Sequence, residues 1–169
     1  MKFFLTYGTH HFLKTIYEKH QAKYDIYLLD SKESSMLIVE KKGRSLFQSG
    51  KAYRIDYTDG HFQNATFAVI NNIPVPQEKA DVFRFEAKKR AELIKRQAGC
   101  LAIRVLIPVK KSDSFIILSM WDSSGDFRRF QASSEYDHLK VESTSNPQQL
   151  FTGTAYEKTY SVYREELNA

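Results

Sequence analysis

The chain has 169 residues, 42% of them apolar, which is enough for one generous domain or two small ones with a real buried core. Its 25 Lys and Arg against 20 Asp and Glu give a formal charge of +5, a mild excess that by itself selects no partner. The single cysteine excludes an internal disulfide and every Cys-based zinc cluster, and no apolar run approaches the roughly 20 residues of a membrane helix.

Met1 to Tyr7 alternates as a first strand and is too short for the apolar region of a signal peptide. With the lone Cys100, this places the protein in a reducing, cytoplasmic setting without a membrane. Gly8 breaks the strand, and Thr9 is placed to cap a helix that keeps Phe12, Leu13, Ile16 and Tyr17 at 3.6-residue spacing and ends near His20. Tyr24 to Leu29 and Met36 to Glu40 are strand-like. Lys42-Gly43-Arg44 predicts a turn that returns Ser45 to Ser49 as a hairpin partner. Tyr53, Ile55 and Tyr57 alternate once more before the turn signal Asp59-Gly60, taken as the boundary between a small N-terminal α+β domain (1–60) and a second domain (61–169).

The second part alternates strands and helices in the order β-α-β-β-α-β, which predicts a ferredoxin-like α+β fold. Its first strand spans Ala65 to Val75, and its first helix, about Ala80 to Arg96, stacks Phe83, Ala87, Ala91 and Ile94. Strands follow at Leu101 to Val109 and Phe115 to Trp121. Ser123 starts a helix from Phe127 to about Lys140, and the last strand is Tyr156 to Tyr163. In Phe115 to Trp121, the face Ile116, Leu118, Met120 suits cover by helices. The opposite face, Phe115, Ile117, Ser119, Trp121, is too apolar for water and calls for a second subunit, the N-terminal part or a flat apolar ligand. No repeat is visible by residue identity, yet the first part also runs strand, helix, strand, strand. It reads as a reduced copy of the second, packed on it sheet to sheet in a barrel-like arrangement.

No phosphate loop, dinucleotide fingerprint, nucleophile elbow or HExxH occurs. A nucleic-acid reading has neither a helix-turn-helix nor an aromatic-basic strand behind it. His10 and His11 point about 100° apart on a helix and make a poor metal pair. Asn71 shares a strand face with Phe67, Val69 and Ile73, so an amide is set into an apolar wall. It either bonds nearby backbone before Pro74 or orients a ligand in a dry pocket. His138 sits near a helix end, where a histidine serves the helix dipole or a metal.

Thr6-Tyr7-Gly8, Phe12-Leu13-Lys14-Thr15-Ile16, Phe67-Ala68-Val69-Ile70-Asn71-Asn72-Ile73, Ala102-Ile103-Arg104-Val105-Leu106 with Pro108, and Trp121 together resemble the HmoB-like proteins and their TRAP relatives, across nearly the whole chain. The resemblance implies an Isd-type heme-degrading monooxygenase in which heme is both substrate and cofactor. An electron donor, a reductase or small reductant, is its second partner. It also implies a monomer whose N-terminal part replaces a second subunit. Carried over by residue, Asn71 faces the iron-bound oxygen, Phe130 stands in the family's Trp position and presses on the porphyrin, Trp121 lines the slot, and His138 ligates iron. Arg84, Lys88 and Arg129 are the basic candidates for the propionates. The family places its His ten residues after the Trp, which here is Lys140, while His138 comes two residues earlier. The alternative implied by the same resemblance is a TRAP-like signal-transduction or stress-related protein that keeps the fold without heme catalysis.

Overall fold

The computed structural model describes residues 1–139 and 155–165. Eight strands and four α-helices follow in the order β1 (Lys2–Gly8), α1 (His10–His20), β2 (Asp25–Asp30), β3 (Ser35–Lys41), β4 (Lys51–Gly60), β5 (Phe67–Ile73), α2 (Ala80–Lys95), β6 (Cys100–Pro108), β7 (Phe115–Trp121), α3 (Ser124–Gln131), α4 (Ser134–Leu139) and β8 (Tyr156–Val162). A short 3₁₀ turn, Gln77–Lys79, leads into α2. Both expected caps form. The Thr9 side chain accepts from the Phe12 N–H at the start of α1, and Ser123 accepts from the Asp126 N–H at the start of α3.

The strands close into one barrel in the order β1-β3-β2-β8-β5-β7-β6-β4. Every ladder is antiparallel. The order is two copies of one pattern. β4-β1-β3-β2 and β8-β5-β7-β6 each have the strand order of a ferredoxin-like unit, and β4 and β8 are the strands through which each unit is joined to the other. The first unit is the reduced one: the segment between β3 and β4 holds no helix where the second unit has α3 and α4. The facing inner walls expected of the two sheets are thus the two sides of one barrel, and hydrogen-bonded ladders join their edges.

Strand alternation sorts the apolar residues into three groups. Phe3, Leu5, Ile38, Tyr53, Ile70, Leu106, Leu118 and Tyr160 fill the barrel interior, drawn from both units. Phe4, Leu28, Leu37 and Val39 meet Leu13 and Tyr17 of α1 on one outer face. Val69, Ile103, Ile117 and Trp121 meet Phe83, Ala87, Ile94, Phe127 and Phe130 on the other.

Three sequence expectations are corrected. The two faces of β7 are exchanged: Ile116, Leu118 and Met120 line the barrel interior, and Phe115, Ile117 and Trp121 are the face that helices cover. Alternation separates the faces, but a strand apolar on both sides does not reveal which looks inward. Ser45 to Ser49 is not a strand. The Ser45 hydroxyl accepts from the Phe47 N–H and bends the chain, so that Leu46 and Phe47 pack onto the outer N-terminal group. The last helix is broken in two, because the backbone N–H and hydroxyl of Ser133 both donate to the Phe130 carbonyl, at 3.0 and 2.6 Å, and end α3 there.

Gly60 shows why a glycine must end β4. Its φ is +81°, and a Cβ there would lie 2.0 Å from the Leu101 carbonyl oxygen. The Gly60 carbonyl accepts from Arg104 at 2.9 Å, and Arg104 also meets Glu40 at 2.6 Å and the Asp59 carbonyl at 3.1 Å. This guanidinium is only 4% exposed, and its set of acceptors is what makes its burial tolerable.

Candidate functional site

The outward residues of β5 and β7 form the floor beneath α3 and α4. Trp121, fully buried, donates from Nε1 to the Ser119 hydroxyl at 2.9 Å. Phe130 stacks on its indole with ring centroids 5.6 Å apart and planes 20° apart. Phe127 stands edge-on to Trp121 at 5.4 Å, and Tyr136 of α4 stands edge-on to Phe130 at 5.4 Å. The Tyr136 hydroxyl is 3.1 Å from Glu157 Oε1 on β8, and Glu157 lies directly opposite Asn71 in the β5–β8 ladder. Burial pushes the Glu157 carboxyl above the usual range, while hydrogen bonds from Tyr136 and Asn71 and the charge of Arg128 pull it partly back.

Asn71, Phe130 and Trp121 therefore belong to one group of side chains, linked through Tyr136 and Glu157. Neither linking residue stands out in the sequence, because Tyr136 lies beyond an unforeseen helix break and Glu157 is set by a long-range register. Arg84 is not in this group. It grips Asp56 of β4 with two of its three nitrogens, Nε at 3.2 Å and Nη2 at 2.9 Å, and Lys88 joins at 3.3 Å. Burial raises the Asp56 carboxyl, but these two cations outweigh it and hold it below the usual range. Arg129 pairs with Asp126 one turn back on α3. Arg128 is the cation that reaches the aromatic wall, 5.9 Å from the ring centres of both Phe67 and Phe127. His138 falls within α4, but its side chain and the whole of Lys140 lie outside the described residues.

Phe67 and Glu157 also border an open depression of about 900 Å³ that runs along β8 toward Asp30 and Lys158. The aromatic group itself is closed, with Trp121, Phe127 and Phe130 buried against one another, and the open space adjoins it only at Phe67 and Glu157. An aromatic edge at Phe67 beside the Glu157 acid and the Lys158 cation suits a ligand with an apolar body and a few fixed polar contacts. Among the described residues no group of three or more His, Cys, Asp or Glu is placed to hold a bare metal ion, and no helix is long and apolar enough to cross a membrane.

Residues 66–140, which run from the start of β5 past α4, match the family model for antibiotic biosynthesis monooxygenase (ABM). The second unit thus carries a segment that matches the ABM family model. The matched segment contains Asn71, Trp121, Phe130 and Tyr136, while Glu157 comes from the strand beyond it. A heme-degrading monooxygenase of Listeria monocytogenes is 28% identical over 132 residues, 78% of each chain. Two solved structures share the fold. A protein described as a major regulator of staphylococcal pathogenesis superposes with a TM-score of 0.81 at 18% identity, covering 95% of this chain and 98% of that one. The heme-degrading enzyme LmHde of Listeria monocytogenes superposes with a TM-score of 0.73 at 22% identity, covering 95% and 99%.

Proposed function

We propose that this protein binds heme on the helix-covered side of its second unit and degrades it oxidatively, releasing iron. The observation that carries the reading is the position of Asn71, a half-buried amide on the helix side of β5 beside the aromatic group of α3 and α4. Kinship with a heme-degrading monooxygenase over most of both chains supports it. Bound heme supplies the chemistry, since its iron activates dioxygen and its own ring is consumed, given electrons from an outside donor. The protein's task is to hold the macrocycle, orient it and keep water out. Asn71 offers its amide toward the metal side, and His138 on α4 is the proposed iron ligand. Phe130, backed by Trp121, forms the rear wall and acts through bulk. Arg128 is better placed than Arg84 for a propionate, because Arg84 is held by Asp56. The N-terminal unit takes the place of a second subunit, so the protein is proposed to be a monomer, as light scattering would check.

The test is a hemin titration of the purified protein followed by a reductant in air. A saturable Soret band that decays with iron release is expected, and Asn71→Ala should retain the band while slowing its decay by about 10-fold or more. His138→Ala should shift or abolish the band. A second reading, a fold-sharing regulator without heme catalysis, is favoured by one observation: Phe130 is only 6% exposed and gives its flat face to Trp121. Absence of a Soret band at micromolar hemin would decide for that reading.

A further inference from the structure

The reduced unit holds a cavity at the place that corresponds, by topology, to the candidate site of the second. In each unit the first strand sends a polar side chain outward, Thr6 on β1 and Asn71 on β5. Where α3 and α4 cover the second unit, the non-helical segment 42–50 covers the first. Between that segment and α1 lies a half-enclosed space of about 360 Å³, walled by Phe12, Ile16, Leu46 and Phe47, with Thr6 on its floor and Lys19 at its rim. The volume is within the roughly 300–1,000 Å³ of small-molecule sites. Phe12 is 61% exposed, a large apolar side chain beside a cavity rather than folded into the core.

Charge indicates what the cavity would take. α1 and the turn after it carry Lys14, Lys19 and Lys23 against Glu18, and the cover carries Lys42 and Arg44 with no acid, flanked by Lys41 at the end of β3 and Lys51 at the start of β4. Lys14 is paired with Glu18 at 3.6 Å, Lys51 with Asp113 at 3.8 Å, and Lys41 is turned to the Lys42 and Arg44 carbonyls. Lys19 has no ion pair among the described residues and stands exposed at the rim. The C-terminus of α1 opposes an anion with only about half a charge, which this cationic surround exceeds.

We infer that the cavity between α1 and the 42–50 segment is a binding site for a small amphipathic carboxylate, a medium-chain acyl or aromatic acid. Its apolar body would lie against Phe12, Ile16 and Phe47, and its carboxylate beside Lys19. The site stands apart from the Asn71 group and does not depend on heme binding.

The probe is decanoate, titrated into the full chain and followed by amide chemical shifts and calorimetry. Saturable binding between roughly 10 µM and 1 mM is expected, with shifts centred on Thr6, Phe12, Ile16 and residues 46–49. Lys19→Glu, an exposed change that should leave the fold intact, should weaken binding about 10-fold, and Ile16→Trp should block it while the circular dichroism spectrum is kept. Decanol binding as tightly as decanoate would overturn the assignment to a carboxylate. Shifts centred on Asn71 and Tyr136, or no saturation by millimolar decanoate, would overturn the site.

Discussion

Asn71 and Glu157 face each other across the β5–β8 ladder, and the amide of the first donates to the carboxylate of the second. Each therefore sets the chemistry of the other. Asn71→Ala removes a donor that favours the charged carboxylate, so the Glu157 pKa, already high from burial, should rise further, as carboxyl NMR shifts against pH would show. A carboxyl raised in the fold contributes stability that is full below its unfolded pKa and lost as pH rises through the folded value. Glu157→Gln should accordingly be less sensitive than the parent to a rise in pH just above the ordinary glutamate range. Unchanged titration of Glu157 in the alanine variant would break the link between the two residues.

Trp121 is the only tryptophan, is fully buried, and lies against Phe130. Its emission should be blue-shifted and resistant to acrylamide. Bound hemin on the helix side of β5 and β7 would quench it by energy transfer, giving a binding signal independent of turnover. Phe130→Ala should cost about 3–5 kcal/mol in urea unfolding, because the cavity left under α3 is walled by rigid strands. A loss well under about 1 kcal/mol would mean that Phe130 is free to move.

Asp56 and Arg84 form a two-point ion pair with the carboxylate side chain only 9% exposed. Arg84→Met leaves that carboxylate with Lys88 alone and should destabilise by about 1–3 kcal/mol at neutral pH. Because the Asp56 carboxyl is held low in the fold, its contribution is present above the unfolded aspartate pKa and disappears as pH falls through the folded value. The stability gap between the parent and Asp56→Asn should therefore narrow from pH 6 toward about pH 3, near the ordinary aspartate range. A constant gap across that range would contradict the pairing.

Cys100 opens β6 at 6% exposure, and burial pushes its thiol up to about 12. A thiol reagent at pH 8 should leave the native protein almost unlabelled and modify it fully in urea, with a midpoint that follows the loss of Trp121 packing. Fast labelling without denaturant would show that the β6 end of the barrel opens locally.

The sequence was legible where one residue decides the local structure. Thr9 and Ser123 cap helices as their spacing predicts, and Gly60 ends β4 where the Asp59-Gly60 signal puts a turn. It was illegible where a decision needs a partner distant in the chain. Ile116 and Ile117 are equally apolar, and only barrel closure assigns the first to the interior and the second to the helices. Asn71 announces itself as an amide in an apolar strand, whereas Glu157 gains its role from a register set across more than half of the second unit. Arg84 reads as a free cation until Asp56, on a strand of the first unit, is brought beneath it.

Closure of the barrel through β2–β8 and β4–β6 leaves every described strand flanked on both sides. The two seams are unequal: β4–β6 pairs from Tyr53 to Gly60, whereas β2–β8 pairs only Leu29 with Val162 and Asp30 with Ser161, so Tyr156 to Tyr160 of β8 have ladder partners on the β5 side alone and are the weaker margin toward strand addition. Either unit made alone would expose two full strand edges, at the margins that β4 and β8 now cover. Such a fragment should come out of solution as fibrous or swapped material more readily than the intact protein.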